Sequence, residues 1–214
     1  MAYFPFMVDI KGKQCLVAGG GGIALHKVRI LLGFEAHIKV VAPEICEELK
    51  ALRGDSLELQ EREFFDGDVE DVDFVIAATD EEALNYHISD LCRQRRIPVN
   101  VVDRKEACSF IFPALIQDKD LLVAISSGGQ SPAAVSFVKN KIRENMPDYY
   151  GEMLEQLGAY RDFVLEHVDT AGKRKEIFYR LLEYGDSHAG SIPETLVQEL
   201  VRSVNEGDGN GAEN

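Results

Sequence analysis

The chain has 214 residues, 45% hydrophobic and 28% charged, enough for one ordinary core plus a smaller unit, and this balance excludes a disordered or collagen-like chain. Twenty-three basic against thirty-seven acidic residues leave a net charge of −14 with neutral histidines; that field repels phosphate backbones and anionic lipid, so nucleic acid and membranes are not expected partners. No apolar stretch approaches the ~18 residues of a membrane span, and the opening residues 1–13 lack the basic start of a secretory leader, so the expected location is cytoplasmic.

From residue 13 to 102, short β-branched runs alternate with longer helical ones, the pattern of a parallel sheet with crossover helices. Strands are expected at 15–19, 37–43, 57–63, 73–79 and 98–103, and helices at 22–34, in the forties and at 81–96. The run DFVIAAT (73–79) is almost wholly apolar, as a strand covered on both faces should be. Beyond Asp103 the rhythm changes. SFIFPALI (109–116) and LLVAISS (121–127) read as a strand pair about the turn QDKD, and Ser131-Pro132 reads as the cap and first turn of a helix that Pro147 stops. Residues 149–204 read as helices broken near Gly172 and at 185–191, and the acidic, glycine-rich 206–214 reads as a frayed tail. The four cysteines, Cys15, Cys46, Cys92 and Cys108, show no CxxC spacing and read as reduced core thiols; the five histidines show no pair at ligand spacing, so no metal site is expected.

The glycine run 19–22 follows the first strand and opens a helix, which fits GxGxxA with Gly19, Gly21 and Ala24 at the fingerprint positions. Gly19 permits the tight turn, Gly21 lets backbone approach a diphosphate, small Ala24 lets the helix pack on the sheet, and the free amides of the helix start face the anion. The expected fold class is therefore α/β: an N-terminal Rossmann-type parallel sheet (1–113), a central region with short strands (114–147), a helical C-terminal domain (148–205) and the tail (206–214). The second strand ends at Val41-Ala42-Pro43-Glu44, where such a fold contacts the adenosine ribose. Glu44 is the candidate ribose ligand, one residue beyond the usual strand tip, which favours NAD over NADP. Thr79 and Asp80 close the fourth strand and either line the nicotinamide side or cap the following helix.

Asp103 closes the fifth strand at the same sheet edge. A carboxylate there either takes a proton from a substrate while hydride leaves for the cofactor, or is a loop aspartate satisfied by backbone amides, Arg104 or Lys105. Ser127-Gly128-Gly129-Gln130-Ser131 lies between a strand and a helix, and forms either a second anion nest suited to substrate carboxylates or a plain turn with a capping serine.

Taken together, CLVAGGGGIALHKVRILL, FVIAATD, NVVDRKEACSFIFPA and LLVAISSGGQSP stand in the order and spacing that resembles the sirohaem synthase family, specifically its precorrin-2 dehydrogenases, over about residues 3 to 183. That resemblance implies an NAD-binding domain, a central dimerisation region, a helical C-terminal domain and a homodimer that oxidises precorrin-2 to sirohydrochlorin in sirohaem and porphyrin biosynthesis. It also implies a bifunctional alternative with sirohydrochlorin ferrochelatase activity. By motif, Asp103 matches the essential aspartate, Gly22-Ile23 and Pro43-Glu44 match cofactor positions, and Ser127 matches a serine at the mouth of the tetrapyrrole cleft. The family's glycine run often continues with Asp or Lys where this chain has Gly22. A substrate with eight carboxylates needs local cations, for which Arg104, Lys105, Lys139, Lys141, Arg143 and the run 172–176 are candidates. A non-enzymatic NAD-sensing module is the remaining alternative, and it gives Asp103 no task.

Overall fold

A computed structural model describes residues 3–52 and 54–206; the stretch 207–214 of the expected tail lies outside the described residues. The described contacts divide the chain into two compact units, one holding residues 3–112 with Gly128–Gln130, the other Pro113–Ser127 with residues 131–206.

The first unit is a five-stranded sheet, β1 (Gln14–Ala18), β2 (His37–Ala42), β3 (Leu57–Glu61), β4 (Phe74–Ala77) and β5 (Val99–Val101), all parallel in the order β3-β2-β1-β4-β5. Helices α1 (Gly22–Gly33), α2 (Glu47–Lys50) and α3 (Glu82–Arg95) provide the crossovers. The sheet has two cores because its strands are buried on both faces. Cys15, Val17, Val40 and Ile76 pack with Ala24 and Val28 of α1, while the alternate residues Leu16, Val41, Val75 and Val99 pack with Ile88 and Cys92 of α3. This explains why β4 reads as a continuous apolar run rather than an alternating one.

The second unit holds the antiparallel pair β6 (Ala114–Asp118) and β7 (Leu121–Ile125), then α4 (Pro132–Asn145), α5 (Tyr150–His167), α6 (Ala171–Ser187) and α7 (Glu194–Glu206). Val164, Ile177, Leu181 and Val197 are wholly buried between the last three helices, each burial contributing roughly 1.5–3 kcal/mol.

Three details differ from the sequence expectation. Residues 109–113 are not strand: the Ser109 hydroxyl accepts from Val99 N–H at 2.8 Å, Ser109 N–H donates to Val99 O at 2.8 Å, and Phe110 packs edge-on against Phe74. The segment thus covers the open edge of β5, and pairing with β7 begins only after Pro113. Gly172 does not break a helix but sits in the first turn of α6; the break is Val168–Thr170, where the Thr170 hydroxyl accepts from Lys173 N–H at 3.4 Å. Glu206, the first residue of the expected tail, is the last residue of α7. The cysteines are free, with Cys15, Cys92 and Cys108 buried, and burial pushes the Cys92 thiol up to about 11.

Candidate functional site

The ladder registers align the site. Ala18 pairs with Ala77 and Ala77 with Val101, and the pairing continues one step further through Ala78 N–H to Ala18 O (2.7 Å) and Val102 N–H to Ala77 O (3.0 Å). Gly19, Ala78 and Val102 therefore form a row across the carboxyl edge, with Asp103 one residue beyond. At ~4.8 Å per strand, the glycine turn and Asp103 are separated by about 10 Å along that edge, where open α/β sheets bind their ligands.

Within the turn the four glycines do different jobs. Gly19 has φ +125°, and a Cβ there would lie 2.2 Å from Ala78 O. A Cβ on Gly20 would lie 2.1 Å from Glu44 O, and Gly20 O accepts from Cys46 N–H at 2.9 Å. So Gly20, which the GxGxxA spacing leaves as a free position, locks the turn to the loop after β2. Nothing lies within 4 Å of a Cβ on Gly21 or Gly22. Gly21 caps α1 without a side chain, and the first turn carries no acidic residue. Ile23 is half exposed and Ala24 fully buried against the sheet. The open space at Gly21 and Gly22 and the amides starting α1 fit a dinucleotide diphosphate, with no carboxylate in the first turn of the helix.

Pro43 and Glu44 are exposed at the end of β2. Asp80 is exposed and Thr79 half-buried beyond β4. The cap residue of α3 is Glu81, which supplies no side-chain bond; the Thr79 hydroxyl instead accepts from Glu81 N–H at 3.3 Å and donates to Asn85 Oδ1 at 2.8 Å. Asn85, buried in α3, also donates to Thr79 O at 2.9 Å and accepts from Thr79 N–H at 3.2 Å. This one amide fixes the loop after β4. Its only sequence signal was a polar residue on the sheet-facing side of a helix.

Asp103 is exposed and adopts the left-handed conformation, φ +59°. Among the described residues no side chain pairs with its carboxylate. Arg104, its expected neutraliser, grips Glu82 with Nε at 2.9 Å and Nη2 at 2.8 Å and gives Asp103 only a backbone contact, Nη1 to the carbonyl at 3.3 Å. That pairing holds the Glu82 carboxyl below its ordinary range. Lys105 donates to Gly128 O, and a Cβ on Gly129 would lie 2.9 Å from its Cδ, so this lysine holds the glycine pair. From below, the buried Cys108 Sγ accepts from Val101 N–H at 3.1 Å and lies 3.3 Å from Arg104 O. A thiol five residues downstream thus clamps the turn that presents Asp103; the sequence offered no sign of it beyond the cysteine itself.

Gly128 and Gly129 both have positive φ, +62° and +79°. In the second unit the Ser131 hydroxyl accepts from Ala134 N–H at 3.1 Å and so caps α4, and the Ser127 hydroxyl accepts from Ser131 N–H at 2.9 Å. Both hydroxyls are thereby engaged in building the turn. Of the other basic candidates, Lys141 pairs with Glu144 at 2.7 Å and Arg143 is exposed.

An open parallel sheet with a glycine turn at the end of its first strand, feeding the amino terminus of a helix, defines a dinucleotide-binding α/β protein. The chain belongs to the family described as "Putative NAD(P)-binding", whose model matches residues 6–114. It is 38% identical to a siroheme synthase of Thioalkalivibrio sulfidiphilus (strain HL-EbGR7) over 99% of this chain and 45% of that protein. It is 37% identical to the siroheme synthase of Nitrosospira multiformis over 86% of this chain and 40% of that one. It thus spans less than half the length of these relatives. A solved structure titled "SirC, precorrin-2 dehydrogenase" superposes with a TM-score of 0.70 at 22% identity, covering 95% of this chain and 100% of that one, and so shares its fold.

Proposed function

We propose that the protein is an NAD-dependent precorrin-2 dehydrogenase that converts precorrin-2 to sirohydrochlorin. The reading is supported by the names of the relatives and by one observation: the glycine turn and an unneutralised Asp103 in the left-handed conformation lie along the same carboxyl edge of the sheet, Asp103 one residue beyond the row of Gly19, Ala78 and Val102. Bound at the turn, NAD+ supplies the hydride acceptor. The protein's own residues do the rest. Gly21 to Ile23 present amides to the diphosphate, Pro43 and Glu44 border the adenosine ribose, and Asn85 holds Thr79, next to Asp80, at the sheet edge. Asp103 takes the proton released as the tetrapyrrole's conjugation extends. A carboxylate already paired with Arg104 would be a poorer base; the Glu82–Arg104 fork keeps that cation away.

For the substrate carboxylates we propose two sets of donors, Arg104 and Lys105 with Gly128 and Gly129 in the first unit, and Ser127 and Ser131 in the second. We further propose a cytoplasmic homodimer. Helix α4 buries none of its side chains, and Phe137 is 64% exposed and Val138 42%, apolar surface that a second copy could cover. No described helix is long and apolar enough to cross a membrane.

The test is an anaerobic mixture of protein, precorrin-2 and NAD+ followed by its visible spectrum, with Fe2+ or Co2+ added afterwards. The proposal expects NAD+-dependent formation of sirohydrochlorin, abolished in Asp103→Asn. Asparagine keeps both size and tolerance of positive φ, so loss reports the carboxylate. NAD+ binding without turnover would instead indicate a sensor, and metal insertion without NAD+ a chelatase.

A further inference from the structure

The corner of the sheet where β2 and β3 end carries an arrangement that the dehydrogenase reading leaves unexplained. Arg62 follows β3 directly, and its N–H donates to Ala42 O at 3.0 Å, so it sits beside the Pro43-Glu44 end of β2. Asp68, fully buried, accepts from Arg62 Nη2 at 2.6 Å and Nη1 at 2.7 Å, from Lys39 Nζ at 3.2 Å and from Phe65 N–H at 3.1 Å. The remaining terminal N–H groups of Arg62 go to Glu63 O at 2.9 Å and to Gln60 Oε1. Every terminal donor of this guanidinium is therefore spent, and one of its faces lies on the Phe65 ring, 4.6 Å from the centroid. Among the described residues nothing pairs with the Glu44 carboxylate.

We infer that Asp68 is a positioning residue for cofactor selectivity: by holding Arg62 and Lys39 it leaves Glu44 uncompensated at the adenosine ribose, so that a 2′-hydroxyl is accepted and a 2′-phosphate refused. A ribose hydroxyl can donate to a bare carboxylate, whereas a 2′-phosphate would meet a like charge and find the terminal donors of Arg62 already taken. Such a phosphate is normally gripped by a nearby arginine; here the arginine is present but occupied. Lys39, the cation within β2, is bound to the same carboxylate.

The inference rests on the dinucleotide lying at the glycine turn, and the test separates the two. Dissociation constants of NAD+ and NADP+ are measured by calorimetry for the wild type, Asp68→Asn, Asp68→Asn/Arg62→Ala and Glu44→Gln. The wild type should prefer NAD+. Asp68→Asn should shift the NADP+ to NAD+ affinity ratio toward NADP+ by about tenfold or more, the scale of one charge-assisted phosphate contact, and removing Arg62 in the double variant should reverse the gain. A purely structural Asp68 would weaken both ligands alike. Glu44 is exposed, so Glu44→Gln tests the same mechanism without threatening the core, and it too should raise the ratio. A wild type that binds neither nucleotide overturns the dinucleotide site itself. Normal NAD+ binding with an unchanged ratio in folded Asp68→Asn, or in Glu44→Gln if Asp68→Asn does not fold, overturns only the selectivity mechanism.

Discussion

Alanine substitutions along the glycine turn separate steric need from ligand need, because neighbouring positions face opposite surroundings. A methyl on Gly20 would lie 2.1 Å from Glu44 O and 2.9 Å from Ile45 Cα. Both obstacles are backbone, so relief requires moving the loop after β2 rather than turning a rotamer. Overpacking costs typically 1–3 kcal/mol, and with rigid neighbours the loss should fall at about 2–3 kcal/mol, or roughly 5–10 °C in Tm for a chain of this size. Gly22, at the first helical position with open space around it, should behave oppositely, Gly22→Ala gaining about 0.5–1 kcal/mol by restricting the unfolded chain. Gly21→Ala should cost no more than about 1 kcal/mol, the preference for glycine over alanine at a helix cap. Its methyl nevertheless fills the space assigned to the diphosphate, so NAD+ affinity should fall about tenfold or more. Urea unfolding at constant slope gives the stabilities and calorimetry the affinities. Wild-type stability in Gly20→Ala, or wild-type NAD+ affinity in Gly21→Ala, would refute this division of labour.

Three further outcomes follow from the same geometry. Asp103→Gly should leave stability within about 0.5 kcal/mol of wild type, since relief of the positive φ offsets the entropy glycine adds to the unfolded chain, while turnover is lost; a markedly less stable variant would show that the Asp103 side chain holds the turn. Burial alone would raise the Asp68 carboxyl, but the bonds from Arg62, Phe65 N–H and Lys39 outweigh it and hold the group below its ordinary value. Because the folded value is the lower one, its contribution to stability is complete above the unfolded value of about 3.9 and fades as pH falls through the folded one. Wild type should therefore exceed Asp68→Asn by a margin that is constant near neutrality and shrinks below about pH 4, whereas a margin independent of pH in urea titrations would contradict the assignment. Phe137→Glu, on a helix face with no buried residue, should convert a dimer to monomer in analytical ultracentrifugation without changing the helical circular dichroism; an unchanged sedimentation coefficient in a protein whose wild type is dimeric would move the interface elsewhere.

The sheet was legible because its signals are local and redundant. Each strand of the first unit lies inside the expected range or one residue beyond it, and the Ser131-Pro132 start of α4 is written in two adjacent residues. What the sequence hid were partners made by folding. Gly20 is indistinguishable from its neighbours until Glu44 O is placed against it. Asn85, Cys108 and Asp68 look like helix, core and loop residues, yet each closes a turn 6, 7 and 6 residues away, at Thr79, Val101 and Arg62. Residues 109–113 carry a strand's composition, and only the unpaired edge of β5 explains why they become its cover.

These hidden partners share a consequence for Asp103. A non-glycine residue at positive φ is tolerated only where its surroundings over-determine it, and here the restraints are visible: Cys108 holds Val101 and Arg104 from within, Glu82 holds the Arg104 side chain from α3, and Lys105 is drawn off to Gly128. Each of these contacts ties down a neighbour of Asp103 and none touches its carboxylate. With both neighbouring cations engaged elsewhere, the carboxylate of Asp103 is left unpaired, which suits the base proposed for it. The pairing of Arg104 with Glu82 thus carries as much of the catalytic reading as Asp103 itself.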